Sequence, residues 1–118
     1  MITEKDIDRF TTGDCHILAW AINRMTGWPI YTFLENGKYP DLHAFIVTPD
    51  GQALDVKGYR SLKSLKKEWR CKKIGKIDWR NLLDSWGGPC YGSHSRKRAK
   101  KIAAYLIASN SSQVKENR

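Results

Sequence analysis

The sequence predicts a single α+β domain, in which a short amphipathic helix packs on a small antiparallel sheet and short helices follow. Three observations carry that prediction. The 118 residues, 41% hydrophobic with five tryptophans, are enough to bury one core without a metal or disulfides. Apolar residues recur at helical spacing after Cys15, and two β-branched and aromatic runs come next, each broken by a turn signal. No internal repeat is present, so residues 1–110 read as one domain and the polar stretch 111–118 as a flexible tail.

Each element has its own local reason. In "CHILAWAINRMTG" the residues Ile17, Leu18, Ala21, Ile22 and Met25 form one apolar face, and Gly27 before Trp28-Pro29 stops the helix. The strands are "PIYTFLENGKYP", interrupted at Asn36-Gly37, and "LHAFIVTPDGQALDVKG", interrupted at Pro49-Asp50-Gly51. Leu62, Leu65 and Trp69 mark a short helix, and "DWRNLLDSW" marks another, capped by Asp78. The last helix spans Ser95 to Ser109 and buries Ala99, Ile102, Ala103 and Leu106.

Composition narrows the classes of function. No apolar run nears the roughly eighteen residues of a membrane span, and "MITEKDIDRF" lacks the basic-then-apolar pattern of a cleaved leader. No membrane association is expected, and a cytoplasmic protein is, or an effector exported without a classical signal. Cys15, Cys71 and Cys90 are an odd set without regular spacing, which suits a reducing compartment and leaves a thiol free. Lysine and arginine outnumber acids 21 to 12, for a net charge of +9, and the excess lies in "KSLKKEWRCKKIGK" and "SRKRAKK". Such a field draws nucleic acid or an acidic protein surface alike, and a solvated face explains the same residues.

Chemistry concentrates around Cys15. The thiolate is the reactive form of cysteine, and the positive end of a helix lowers a thiol pKa, so the helix mouth favours a nucleophile. A lone intracellular cysteine is more commonly a small buried apolar residue. The strand "HAFIV" opens with His43, however, and "ALD" across the next turn ends at Asp55, which supplies a base and a carboxylate to orient it. Asp14 is a candidate helix cap and, with His16 and Thr12, a candidate oxyanion or substrate contact, although its charge would raise the thiol pKa. His16 points about a hundred degrees away around the helix and reads as packing or substrate-facing. The Cys15 N–H is a natural oxyanion donor, and Thr11 or Thr12 is a candidate for the second.

Loop length tests the pairing of His43 with Asp55. Side chains alternate faces along a strand, so a three-residue Pro49-Asp50-Gly51 loop with Thr48 opposite Gln52 places His43 and Asp55 diagonally on one face. A two-residue Asp50-Gly51 loop would send them to opposite faces.

With these residues in place, "GDCHILAWAINRMTGWPI" and "HAFIVTPDGQALDVKG" resemble the papain-like fold toxins of bacterial polymorphic toxin systems and, more loosely, NlpC/P60 hydrolases. The resemblance covers residues 12–58. It implies a papain-like core, Cys15 as nucleophile, His43 as base and Asp55 as its orienter, no cofactor, and a peptidase, amidase, deamidase or acyl-transferase reaction on a protein or peptide. The alternative is a non-catalytic basic protein that binds nucleic acid or an acidic partner on the same scaffold.

Other constellations are weaker. Cys90 and His94 in "CYGSH" sit at metal-ligand spacing with Cys71 as a conceivable third, but a structural zinc needs a second pair, so no metal is expected. Trp69, Trp79 and Trp86 among basic residues could stack nucleic-acid bases, and their spacing suits helix core faces equally well. The loop "WGGPCYG" lacks the lysine of a phosphate loop and could line a cleft.

Overall fold

The computed structural model describes residues 2–34, 43–78 and 93–116. Four α-helices and five strands occur among them. Thr3 opens α1 (Glu4–Asp8) with a capping box: its hydroxyl accepts the Asp6 N–H at 3.2 Å, and Asp6 accepts the Thr3 N–H at 2.9 Å. The chain then winds into a π-helical turn, Arg9–Gly13, closed by the Asp14 N–H on the Arg9 carbonyl at 2.8 Å. That wider turn re-aims the backbone, and α2 (Cys15–Thr26) starts directly after Asp14. Gly27, at φ +79°, ends α2 as expected, and Asn23 then holds the Trp28 carbonyl at 2.8 Å.

The strands β1 (Ile30–Phe33), β2 (Ala44–Val47), β3 (Gln52–Asp55), β4 (Gly58–Ser61) and β5 (Ile74–Ile77) form one antiparallel sheet in the order β4-β3-β2-β1-β5. Between β4 and β5 lies α3 (Leu62–Trp69), whose first N–H groups are capped by the Ser61 hydroxyl through Ser64. The last helix, α4, runs Ser93–Glu116.

Alternation along the strands gives two cores. Ile30, Ala44, Ile46, Leu54 and Ile77 pack with Leu18 and Ile22 of α2 and with Ala99, Ile102, Ala103 and Leu106 of α4. Phe33, Phe45 and Ala53 face the other way, against Leu65 and Trp69 of α3. The aromatic rings of Phe33 and Phe45 lie 5.1 Å apart in that second core. Long-range polar contacts bind α4 to the rest. Arg98 forms an ion pair with Asp6 of α1, Ser95 donates to Asp14 at 3.2 Å, and Tyr59 of β4 donates to the Leu106 carbonyl at 2.6 Å.

The β2–β3 hairpin takes the three-residue connection. The Gly51 N–H closes a β-turn on the Thr48 carbonyl at 2.9 Å, the Thr48 N–H reaches the Gln52 carbonyl at 2.9 Å, and Ile46 pairs with Leu54.

Several elements differ from the sequence expectation. The helix expected over Ser95–Ser109 continues to Glu116, into the stretch read as a tail, because no glycine or proline interrupts it. It is one long helix rather than a short one. The strands β4 and β5, the helix α1 and the π-turn were not expected. The expected helix over "DWRNLLDSW" falls beyond Asp78, outside the described residues, as do the Asn36-Gly37 turn, the "WGGPCYG" loop, Trp79, Trp86 and Cys90. No helix among the described residues is long and apolar enough to cross a membrane.

Gly51 adopts φ +85° with open space where a Cβ would stand, so its cost on substitution is backbone strain alone. Gly51→Val is expected to lower unfolding free energy by about 1–2 kcal/mol in urea titration, and Gly51→Asn by less, because asparagine tolerates the left-handed region.

Candidate active site

The hairpin register decides where the polar groups go. With Ile46 opposite Leu54, residues 43, 45 and 47 share a face with 53 and 55, so His43 lies diagonal to Asp55. Their side chains meet: Nε2 of His43 is 2.9 Å from Oδ2 of Asp55. From the opposite side β4 pairs Ala53 with Arg60, which sets Arg60 on the other diagonal, and its guanidinium donates to the same Oδ2 at 3.0 Å. The second carboxylate oxygen, Oδ1, accepts the Lys57 N–H at 2.9 Å, which closes the turn after β3. One aspartate therefore serves its own turn, an imidazole and a guanidinium.

Cys15 approaches from α2. Its sulfur accepts the N–H of Ala44, the residue after His43, at 3.5 Å. The thiol thus sits at the end of β2, where the strand presents His43. Cys15 is 5% exposed, His43 0% and Asp55 6%, so all three are withdrawn from water.

Burial and charge act against each other here. Burial raises the Cys15 pKa, but hydrogen bonding with His16 and His43, the charge of His43 and the Ala44 N–H outweigh it and bring it down to about 6. Burial lowers the His43 pKa, while the Asp55 and Cys15 contacts outweigh that and raise it to about 9. Burial also opposes ionisation of Asp55, yet His43, Arg60 and the Lys57 N–H hold it below the ordinary carboxylate value. Both shifts act in the direction of a thiolate beside an imidazolium. The Nδ1 atom of His43 makes no hydrogen bond of normal geometry, so the interaction with Cys15 that lowers the thiol pKa is a loose one. Such contacts commonly tighten only when substrate binds.

Aromatic rings cover the imidazole. Trp69 of α3 stacks on His43 at 4.6 Å between centroids, with the planes 11° apart, and Phe45 lies 6.2 Å away on the same face of the sheet. An indole face next to a cationic imidazole stabilises the charge and excludes water from the His43–Asp55 hydrogen bond. Arg60 in turn is gripped by Glu68 of α3 at 2.6 Å, and Glu68 also meets Lys57 at 3.5 Å.

Sequence-predicted residues fare differently. Cys15, His43 and Asp55 are brought together. Asp14 does not cap α2 through its side chain; its carboxylate turns to the Ser95 hydroxyl on α4, because the π-turn delivers the chain at the helix start in a conformation unsuited to capping. His16 is not remote from the thiol: it is buried and helps lower the Cys15 pKa. Thr11 is a buried hydroxyl without a hydrogen-bond partner, and the Thr12 side chain lies outside those described. Cys71 lies 3.7 Å from the carbonyls of Leu34 and Lys73, while the side chains of Cys90 and His94 are outside the description. Among the described residues, no three His, Cys, Asp or Glu groups are arranged to hold a metal.

Sequence reasoning missed Arg60 as the second partner of Asp55, and Trp69 as the cover of His43. For Arg60 a signal existed, since "DVKGYR" is a tight hairpin that sets 60 diagonal to 55. Comparison with known proteins adds no relative: no family model, no curated protein and no solved structure matches this chain.

Proposed function

We propose that the protein is a cysteine-dependent hydrolase or acyl-transferase of papain-like type, acting on an amide or related acyl bond of a protein or peptide. What carries this reading is the buried Cys15, His43 and Asp55 constellation, with the thiol pKa lowered to about 6 and the imidazole raised to about 9. A buried cysteine that merely fills space has its pKa raised rather than lowered.

In the proposed reaction the Cys15 thiolate attacks the carbonyl carbon, forming a C–S bond and an oxyanion. The His43 imidazolium gives its proton to the departing amine nitrogen as the C–N bond breaks, leaving an acyl-enzyme and neutral imidazole. Water, or an amine in transfer, then loses a proton to His43 and attacks the same carbon, and the C–S bond breaks to restore thiolate and imidazolium. Asp55 keeps Nε2 of His43 engaged, which leaves Nδ1 for the thiol and substrate. The Cys15 N–H at the start of α2 is the proposed first donor to the oxyanion.

Alkylation by iodoacetamide across pH, with mass spectrometry to locate the label, tests the pair. Wild-type Cys15 is expected to react with an apparent pKa of about 6. In His43→Ala the counter-charge is gone while burial stays, so the pKa returns to about 8.5 or higher and the rate at pH 7 falls about 30-fold or more. A Cys15 rate that follows Cys71 and is indifferent to His43 would overturn the reading.

Asp55 is tested through the imidazole itself. A histidine whose folded pKa is raised holds its proton to higher pH, so NMR titration is expected to show wild-type His43 deprotonating near 9. Asp55→Asn removes the charge and is expected to move that midpoint down, which shrinks the thiolate–imidazolium window from its alkaline side. An unmoved midpoint would show that Asp55 does not support the His43 charge.

A further inference from the structure

Along α3 and its C-terminal cap, on a face other than that of Trp69, runs a row of cations that pair with no acid among the described residues. Lys63, Lys66, Lys67 and Arg70 fall at i, i+3, i+4 and i+7, one stripe on the helix. With Cys71 and Lys72 they line a concave cavity of about 580 Å³. Among the described residues no acid reaches it. The one carboxylate of α3, Glu68, is drawn to the other side by Arg60 and Lys57.

Folding alone does not account for this stripe. Lys66 and Lys67 complement the negative C-terminal end of the helix dipole, but Lys63 in the first turn stands at the positive end, where a cation is unfavourable. Like charges at i, i+4 also repel each other. Arg70 adopts φ +51°, the only non-glycine with positive φ among the described residues, at a helix end where glycine is the relaxed choice. The protein keeps a guanidinium there against backbone preference.

We infer that this groove docks an acidic segment, rich in aspartate or glutamate, of the protein substrate, on the helix that covers His43. The inference rests on the acyl-transfer reading for the identity of the ligand as substrate, because Trp69, next to Lys67 and Arg70 in the chain, is the ring that covers His43. A peptide held along α3 is thereby held on the helix that covers His43. Single-stranded nucleic acid fits less well: it binds by stacking bases on exposed rings as well as by phosphate contact. Among the described residues the groove lining offers no ring, and the Trp69 indole is already stacked on His43.

The test uses the full chain with Cys15→Ala, so that binding is read without catalysis and its outcome is separate from that of the alkylation experiment. Fluorescence anisotropy follows a fluorescein-labelled glutamate-rich peptide and, in parallel, an oligothymidylate of equal charge. The peptide is expected to bind in a salt-sensitive manner, to bind more tightly than the oligonucleotide, and to lose about tenfold or more in affinity in Lys63→Glu/Lys67→Glu. Lys97→Glu/Lys101→Glu, which makes the same charge change on α4, is expected to lose less than about threefold, the general effect of net charge. Lys63 and Lys67 are exposed, and a glutamate at 63 suits the helix dipole, so an undiminished urea midpoint checks that the variant is folded. Absence of peptide binding, equal losses in the two double variants, or tighter binding of the oligonucleotide through the same lysines would each overturn the proposal.

Discussion

The register of the β2–β3 hairpin is the constraint on which the candidate site depends. The three-residue connection sets Ile46 opposite Leu54, and the pleat does the rest: small and aliphatic residues to α2 and α4, His43, Phe45 and Asp55 to α3. A slip of one residue would turn the imidazole and the carboxylate to opposite faces and exchange the two cores. The packing and the chemistry are therefore fixed by the same hydrogen bonds, and neither can drift without the other.

Around that register the site is built from both sides of the sheet. The thiol comes from α2 on one face, while the imidazole, its carboxylate and the covering indole lie on the other, and they meet at the start of β2. Asp55 is the hinge between charge networks. Its Oδ2 lies between the imidazole and the Arg60 guanidinium, and Glu68 balances Arg60, so the buried charges run in alternating sign from Cys15 to the surface. A buried charge without such partners would neutralise itself by shifting its pKa. The chain of alternation is what lets an ion pair persist at a place almost closed to water.

Much of this was legible in the sequence where local rules apply. The spacing of Ile17, Leu18, Ala21 and Ile22 and the stop at Gly27 marked α2, and Pro49-Asp50-Gly51 marked the hairpin and, through loop parity, the one face shared by His43 and Asp55. What escaped reading was non-local or masked by charge. The four residues of β5 sit in a lysine-rich tract, and Lys76 on an edge strand looks like surface from sequence alone. Trp69 has the spacing of a helix core residue, and nothing local says that the core at that point is an imidazole. Asp14 has the right residue type and position for a cap, but the π-turn before it, which no simple pattern announces, sends its carboxylate to α4. The resemblance to papain-like enzymes likewise rests on short motifs between residues 12 and 58, and the second half of the chain supplies Trp69, the cover of His43, rather than the candidate catalytic groups.

The clamp of α4 on α1 and on the start of α2 joins segments far apart in the sequence. Asp6 pairs with Arg98, and Asp14, next to the thiol, takes its hydrogen bond from Ser95. During synthesis the thiol, imidazole and carboxylate all emerge by residue 55, well before the helix that pins the segment leading to Cys15 and before the indole that shields His43. A chain grown to residue 55 thus holds Cys15, His43 and Asp55 while lacking the Ser95 and Trp69 contacts that hold their surroundings in place.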